Sequence, residues 1–226
     1  MELINLFSNL ALKIILLGFS VLIDFGTRTV QSKIVFYGCA MSGKSTALKA
    51  LYHDLNGGKK LVSIETSHSK DARTLFYDYG ELDLTFGIWK LKLNLWTATG
   101  QDFYCATRPT VLQSTDGIIF VIDSRKNLLE DNLKSWNELK SFFGNKLETT
   151  IPVIACLNKR DLPDVIPGSI IQSAFEFHPS TKLHETIATQ NHNIYPAFKD
   201  LFENIFQIHK AAKTTILNQL REYPKK

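Results

Sequence analysis

The chain has no tract of one charge sign, no low-complexity stretch and no internal repeat. Its 26 basic and 22 acidic residues leave a net charge of only +4. It also lacks a basic stripe interleaved with aromatics, which argues against nucleic acid as a partner. Cysteine is scarce, with 3 in all: Cys39, Cys105 and Cys156. An odd number, one of them inside a glycine loop, argues against a disulfide framework and for reduced thiols in a cytoplasmic setting. Cys39 itself reads better as a small loop-filling residue than as a redox handle. Position 2 is Glu2, so the glycine of N-myristoylation is missing, and the final Tyr223-Pro224-Lys225-Lys226 carries no prenylation signal. What remains is an ordinary composition over 226 residues, 44% hydrophobic and 21% charged, which fits one domain with some extension.

Residues 33–46 organise the rest. Lys33-Ile34-Val35-Phe36-Tyr37 is a short, mostly apolar run of the kind that forms a buried strand. It opens into Gly38-Cys39-Ala40-Met41-Ser42-Gly43-Lys44-Ser45, a complete G-x-x-x-x-G-K-S, and then into helical spacing from Thr46. Strand, glycine loop and helix together form a phosphate-binding loop, in which backbone N–H groups from Gly38 through Ser42 and Gly43 to Thr46 face an anion. Lys44 is placed to reach the β- and γ-phosphates, and Ser45 to offer an oxygen to Mg2+.

Residues 1–26 form a second informative stretch. Glu2, Asn5, Asn9, Lys13, Ser20 and Asp24 fall on one side of a 3.6-residue helix; Leu16 interrupts that narrow polar stripe and Ser8 falls outside it, and the opposite face is wide and apolar. Three fates are open to such a helix. It can lie in a membrane interface, span the bilayer with Lys13 near the middle, or pack on the domain. Membrane association of some kind is the favoured expectation, and residues 27–32 read as a linker to a domain over 33–223.

Along the domain, the first helix stops near Asn56-Gly57-Gly58, and residues 59–69 read as a mobile loop. Asp71, Arg73, Asp78 and Glu81 mix their signs as a solvated segment does. Residues 88–96 alternate apolar and polar, which predicts a half-exposed strand at or near a sheet edge. Residues 117–123 and 151–157 are continuous apolar runs, as in buried parallel strands. Helical spacing covers 127–143, 170–177 and 194–223, with a last short strand over 183–188. The alternation predicts an α/β fold, a doubly wound and mainly parallel sheet, with ligands at the carboxyl ends of its strands.

The 151–157 run ends in Asn158-Lys159-Arg160-Asp161. An Asp161 carboxylate can accept both the N1–H and the N2–H of guanine, a donor pair that adenine does not present. Asn158 can hydrogen-bond the ring, and the Lys159 stem can lie along it.

These stretches, with Arg73-Thr74-Leu75-Phe76-Tyr77-Asp78 and Thr97-Ala98-Thr99-Gly100-Gln101-Asp102-Phe103-Tyr104, resemble the Ras-like small GTPases. Within them the chain most resembles the MglA-like branch, over about residues 33–210. The resemblance implies a P-loop GTPase fold, GTP and GDP as ligands, and Mg2+ as cofactor. It implies that Gly100 gives its N–H to the γ-phosphate, that Gln101 orients the attacking water and that Thr74 closes on Mg2+. Arg73 resembles an arginine finger acting in cis. Ala188 resembles the backbone contact to guanine O6, although Thr189 follows it where lysine is usual. Most Ras-like proteins have Asp at the Thr97 position; its work falls here either to Asp78 or to water. The resemblance further points to roadblock-domain partners.

The expected function is therefore a GTP-binding, GTP-hydrolysing switch at the cytosolic face of a membrane, with residues 70–79 and 97–108 ordered by the γ-phosphate. Its rivals are a nucleotide-locked scaffold that binds GTP without turnover, and an Arf-like or signal-recognition-particle-receptor-β-like membrane GTPase. A P-loop kinase is disfavoured by Asn158-Lys159-Arg160-Asp161.

Overall fold

The computed structural model describes residues 22–24, 26–55, 64–68, 74–86, 88–98 and 108–222. A run of strands alternating with helices builds an eight-stranded sheet. Its strands are β1 (Leu22–Asp24), β2 (Thr29–Tyr37), β3 (Ile64–His68), β4 (Thr74–Phe86), β5 (Trp89–Thr97), β6 (Gly117–Asp123), β7 (Val153–Asn158) and β8 (Lys182–Glu185). The spatial order is β3-β4-β5-β2-β6-β7-β8, with β1 paired to β2 off that path. β5, β2, β6, β7 and β8 run parallel to one another. β4 and β3 extend the sheet antiparallel beyond β5. The helices are α1 (Lys44–Leu55), α2 (Arg108–Leu112), α3 (Leu129–Phe143), α4 (Gly168–Phe175) and α5 (Ile194–Glu222).

Both faces of the sheet are covered, so there are two cores. Leu48 and Leu51 of α1 and Phe198, Leu201, Phe202 and Phe206 of α5 pack on one face, against Ile34, Phe36, Leu93 and Ile119. On the other, Trp136 and Leu139 of α3 and Phe175 of α4 pack against Val35, Tyr37, Phe120 and Leu157. The Trp136 indole N–H donates to the Phe175 carbonyl at 3.0 Å, which ties α3 to α4. This double covering is why 117–123 carries no polar alternation: every residue of β6 is buried.

The structure corrects four expectations. Leu22–Asp24 is a strand, antiparallel to Thr29–Gln31, so a helix cannot run to residue 26. Thr29–Ser32 is not a linker but the first part of β2, with Thr29 and Ser32 buried. Residues 64–68, read as loop, form the outer strand β3. β5 is not at the edge, because β4 and β3 lie outside it. Its alternation has another cause: Leu91, Leu93 and Leu95 face the α1–α5 core while Lys90 and Lys92 are exposed on the opposite face. The remainder of the proposed N-terminal helix, residues 1–21, lies outside the described residues.

Candidate functional site

The parallel register brings the carboxyl ends of β2, β5, β6 and β7 to one pole. Phe36 is level with Thr97, Tyr37 with Phe120, and Asp123 with Asn158. The glycine loop leaves β2 here. Gly38 has φ +144°, and a Cβ on it would lie 2.2 Å from the Val121 carbonyl oxygen. Gly43 has φ +102°, and a Cβ there would lie 2.2 Å from Asn158 Nδ2. Both positions therefore demand glycine, one because a neighbouring strand approaches and the other because the 158–161 loop does.

Lys44 begins α1 with its ammonium folded under the loop. Nζ donates to the carbonyls of Gly38 at 2.9 Å and Cys39 at 2.6 Å, which holds the loop wound. Burial pushes its pKa down from 10.5 to about 8. Phosphate charge at this spot would reverse that penalty. Ser42 is buried, Ser45 is half-buried as the second residue of α1, and Thr46 is exposed. The Cys39 thiol donates to Asn132 Oδ1 at 3.2 Å, and burial pushes its pKa up, so it is a packed donor rather than a reactive thiolate.

Asn158 is the tie between this loop and the far end of the site. Its Nδ2 donates to the Ser42 carbonyl at 2.8 Å, and its Oδ1 accepts the Ala188 N–H at 2.9 Å. The side chain aimed at the base on sequence grounds thus joins three segments to one another, and it takes the N–H that Ala188 was expected to offer to guanine O6. Lys159 has φ +66° and donates from Nζ to the Met41 carbonyl at 2.7 Å and to Asp123 Oδ2 at 2.6 Å. Asp161 is exposed.

Two residues of this network were not singled out from the sequence. Asp123 ends β6 and is gripped by Lys159 and by Arg125, whose Nε and Nη2 reach it at 3.0 and 2.7 Å. Burial alone would raise its pKa, but these hydrogen bonds outweigh burial and hold it low. Asn132 on α3 accepts the Asp123 N–H at 3.0 Å and donates to its carbonyl at 2.9 Å. An acid closing an apolar strand was the available signal for Asp123; nothing local marked Asn132.

Asp78 departs most from its expected setting. Read as part of a solvated segment, it is 0% exposed. It stands opposite Thr97 at the end of the β4–β5 ladder. The Thr97 hydroxyl accepts the Asp78 N–H at 2.8 Å and donates to Asp78 Oδ2 at 3.0 Å. Asp78 Oδ1 is buried without a hydrogen-bond partner. Its negative charge works against the burial penalty on Lys44, so the two groups are within electrostatic reach of each other. An orphaned carboxylate oxygen beside the threonine that stands where Ras-like proteins have Asp suits a divalent cation at this pole. Thr74 opens β4, whereas Arg73, Gly100 and Gln101 lie outside the described residues.

Comparison with known proteins agrees with this arrangement. Residues 19–205 match the family model of the ADP-ribosylation factor family. The chain is 31% identical over 182 residues to the mutual gliding-motility protein MglA of Myxococcus xanthus, covering 78% of this chain and 91% of that protein. It is 26% identical over 198 residues to ADP-ribosylation factor-like protein 6 of Caenorhabditis elegans, covering 84% and 95%. It is 28% identical over 182 residues to the Ras-related protein Rab-21 of Geodia cydonium, covering 79% and 72%. With a phosphate loop, a guanine-type motif and a mainly parallel sheet that joins them, the chain belongs to the ADP-ribosylation factor family of Ras-like small GTPases, MglA-like among them, and is a small GTP-binding switch that hydrolyses GTP.

Proposed function

We propose that this switch uses Mg2+ with Asp78 doing the work that falls to the Asp at the Thr97 position in most Ras-like proteins. The observation that carries the reading is the buried Asp78 Oδ1, unpartnered while its sister oxygen is held by Thr97. Ser45, Thr74 and Asp78 would hold the ion, which supplies neutralisation of charge on the β- and γ-phosphates. Lys44 and the loop N–H groups grip the phosphates, and Asp161 selects guanine. Gln101 orients water, Gly100 senses the γ-phosphate, and Arg73 adds positive charge in cis. The test is GTP turnover with a Mg2+ titration for the wild type and Asp78→Asn. A variant with unaltered Mg2+ dependence would assign the role to water instead. A wild type that binds GTP tightly and never turns it over would favour the locked scaffold.

We further propose that the protein works peripherally on the cytosolic face of a membrane and that a roadblock-domain protein reads its ordered loops. The apolar face of residues 1–21 supports the membrane contact. So does the position of β1, which pairs with the start of β2, at the pole opposite the phosphate loop. A contact made from that side leaves the nucleotide pole open to a partner. Among the described residues no helix is long and apolar enough to cross a membrane. Liposome flotation of the full chain and of Ile15→Glu/Phe19→Glu tests the contact. Equal flotation of both sinks it.

A further inference from the structure

Of the four residues Asn158-Lys159-Arg160-Asp161, the third has no part in the guanine pattern, yet its side chain is only 17% exposed. Arg160 Nη1 donates to the Ile166 carbonyl at 2.7 Å, and Nη2 donates to Glu185 Oε1 at 2.7 Å. The Arg160 backbone N–H donates to the Thr186 carbonyl at 3.3 Å. One residue therefore joins the end of β8 to the lead-in of α4. The Ile166 end is itself anchored. The Ile166 N–H donates to the Ser124 carbonyl at 2.8 Å, and the Ser124 N–H donates to the Asn158 carbonyl at 3.1 Å. Residues 161–164 are all exposed, so burial does not hold them, whereas Ile166 is buried. The bond from Arg160 to Ile166 closes the loop that Asp161 begins. The other ties on that loop are slighter: a turn bond from the Leu162 N–H to the Lys159 carbonyl at 3.2 Å, and an exposed ion pair of Lys126 with Asp164.

We infer that Arg160 is a positioning residue for guanine selection, its forked guanidinium fixing where Asp161 stands between β8 and the lead-in of α4. The inference rests on the proposed reading that Asp161 accepts the N1–H and N2–H of guanine. Two parallel bonds to one carboxylate set direction as well as distance. A single bond tolerates a swing of the carboxylate that a pair does not. Loosening Asp161 should therefore cost more against a 6-oxopurine that bears a 2-amino group than against one that lacks it. A planar guanidinium suits the task because one rigid group reaches two acceptors, whereas an ammonium is a point charge on a flexible stem.

The test uses the full chain with Mg2+ and reads affinities for GDP and IDP by competition against fluorescent GDP. IDP is GDP without the 2-amino group, so phosphate, ribose and Mg2+ contacts cancel in the ratio of the two. The wild type should prefer GDP by about tenfold or more. Arg160→Met keeps the apolar stem and removes the fork. Its preference should shrink by about threefold or more, because Asp161 then meets both donors in a smaller fraction of conformers. That variant strands the Ile166 carbonyl and so can also lose stability. Arg160→Lys keeps one donor for that carbonyl. It should hold the melting temperature near that of the wild type yet lose the preference as Arg160→Met does. A wild-type ratio in Arg160→Lys would overturn the inference, since one donor on a flexible stem would then suffice. A lower melting temperature with an unchanged ratio in Arg160→Met would also overturn it and make Arg160 a structural tether. So would equal losses of GDP and IDP affinity, which would place the effect at the phosphate loop through Lys159 and Met41. Asp161→Ala separates the two levels. If it keeps the wild-type ratio, the reading of Asp161 fails, and the role of Arg160 fails with it. If it loses the ratio while the Arg160 variants keep it, the positioning role alone fails. With Asp161→Ala in place, adding Arg160→Met should change the ratio no further.

Discussion

Thr97 and Asp78 form a closed pair: the threonine hydroxyl accepts the aspartate's backbone N–H and donates to its carboxylate, at 2.8 and 3.0 Å. The hydroxyl thus takes the place of a ladder carbonyl at the end of β4 and orients the acid at the same time. An Asp at 97 could not do this, because a carboxylate has no proton to give and would face Asp78 with like charge. We therefore expect Thr97→Asp, nominally a step toward the commoner Ras-like motif, to lower thermal stability and weaken GTP binding. The exchange Asp78→Thr/Thr97→Asp should recover part of both. Differential scanning fluorimetry with and without GDP checks this.

Asp78→Asn keeps the shape and the bond from Thr97 but removes the charge. Losing even an outer-shell partner of a metal site costs about 10–100-fold in affinity, and Asp78 would hold the ion itself, so the Mg2+ concentration needed for half-maximal turnover should rise by at least about tenfold. Binding of nucleotide in EDTA should be nearly unchanged, which fluorescent-GDP titration measures.

Asn158→Ala strands the Ser42 carbonyl and the Ala188 N–H in a buried place. Each unpaired group costs about 1–3 kcal/mol, so unfolding in urea should shift by that order even without nucleotide. A residue that touched only the base would lower affinity and leave that transition unmoved.

Gly43→Ala adds a methyl group where Asn158 Nδ2 lies 2.2 Å away, at a φ of +102°. We expect nucleotide binding to be lost and the melting temperature to fall, as read by scanning fluorimetry. Gly144→Ala is the control: its φ is also positive, +53°, but a Cβ there meets nothing within 4 Å. It should keep nucleotide affinity.

The buried Lys44 gives a pH signature. Its folded pKa of about 8 lies below the ordinary 10.5. Between those values the unfolded chain binds more protons, so this group makes stability rise as pH rises through about 8 to 10.5. Below pH 8 the penalty of burying the charge is fully present. Phosphate favours the charged ammonium, so nucleotide binding above pH 8 takes up a proton, and affinity should fall as pH rises past that point. Calorimetric GDP titrations at pH 7 and 9, in buffers of different ionisation enthalpy, read the proton uptake directly.

Much of the site was legible because its chemistry is local. The G-x-x-x-x-G-K-S loop needs its glycines and lysine adjacent in the chain, and Asn158-Lys159-Arg160-Asp161 carries its own donor and acceptor pattern. The buried strands were legible because a strand covered on both faces must be apolar throughout. β3 was missed because Ile64-Glu65-Thr66-Ser67-His68 is almost wholly polar, and a polar strand at the rim of a sheet reads as a loop. β5 was misplaced because alternation reports that one face is open, and says nothing of where in the sheet the strand lies.

What the sequence determined by itself was the ligand class and the α/β order, since both follow from residues within a few positions of one another. The tertiary structure decided that Asp78 is buried against Thr97, that Asn158 ties the phosphate loop to Ala188, and that Arg160 reaches across to Glu185. These partners stand 19, 25, 30 and 116 positions apart, brought together only by strand register and by helix packing on the sheet. No local pattern encodes such pairings, because the free energy that fixes them is the burial of two cores on the sheet's faces rather than any property of the residues that end up touching.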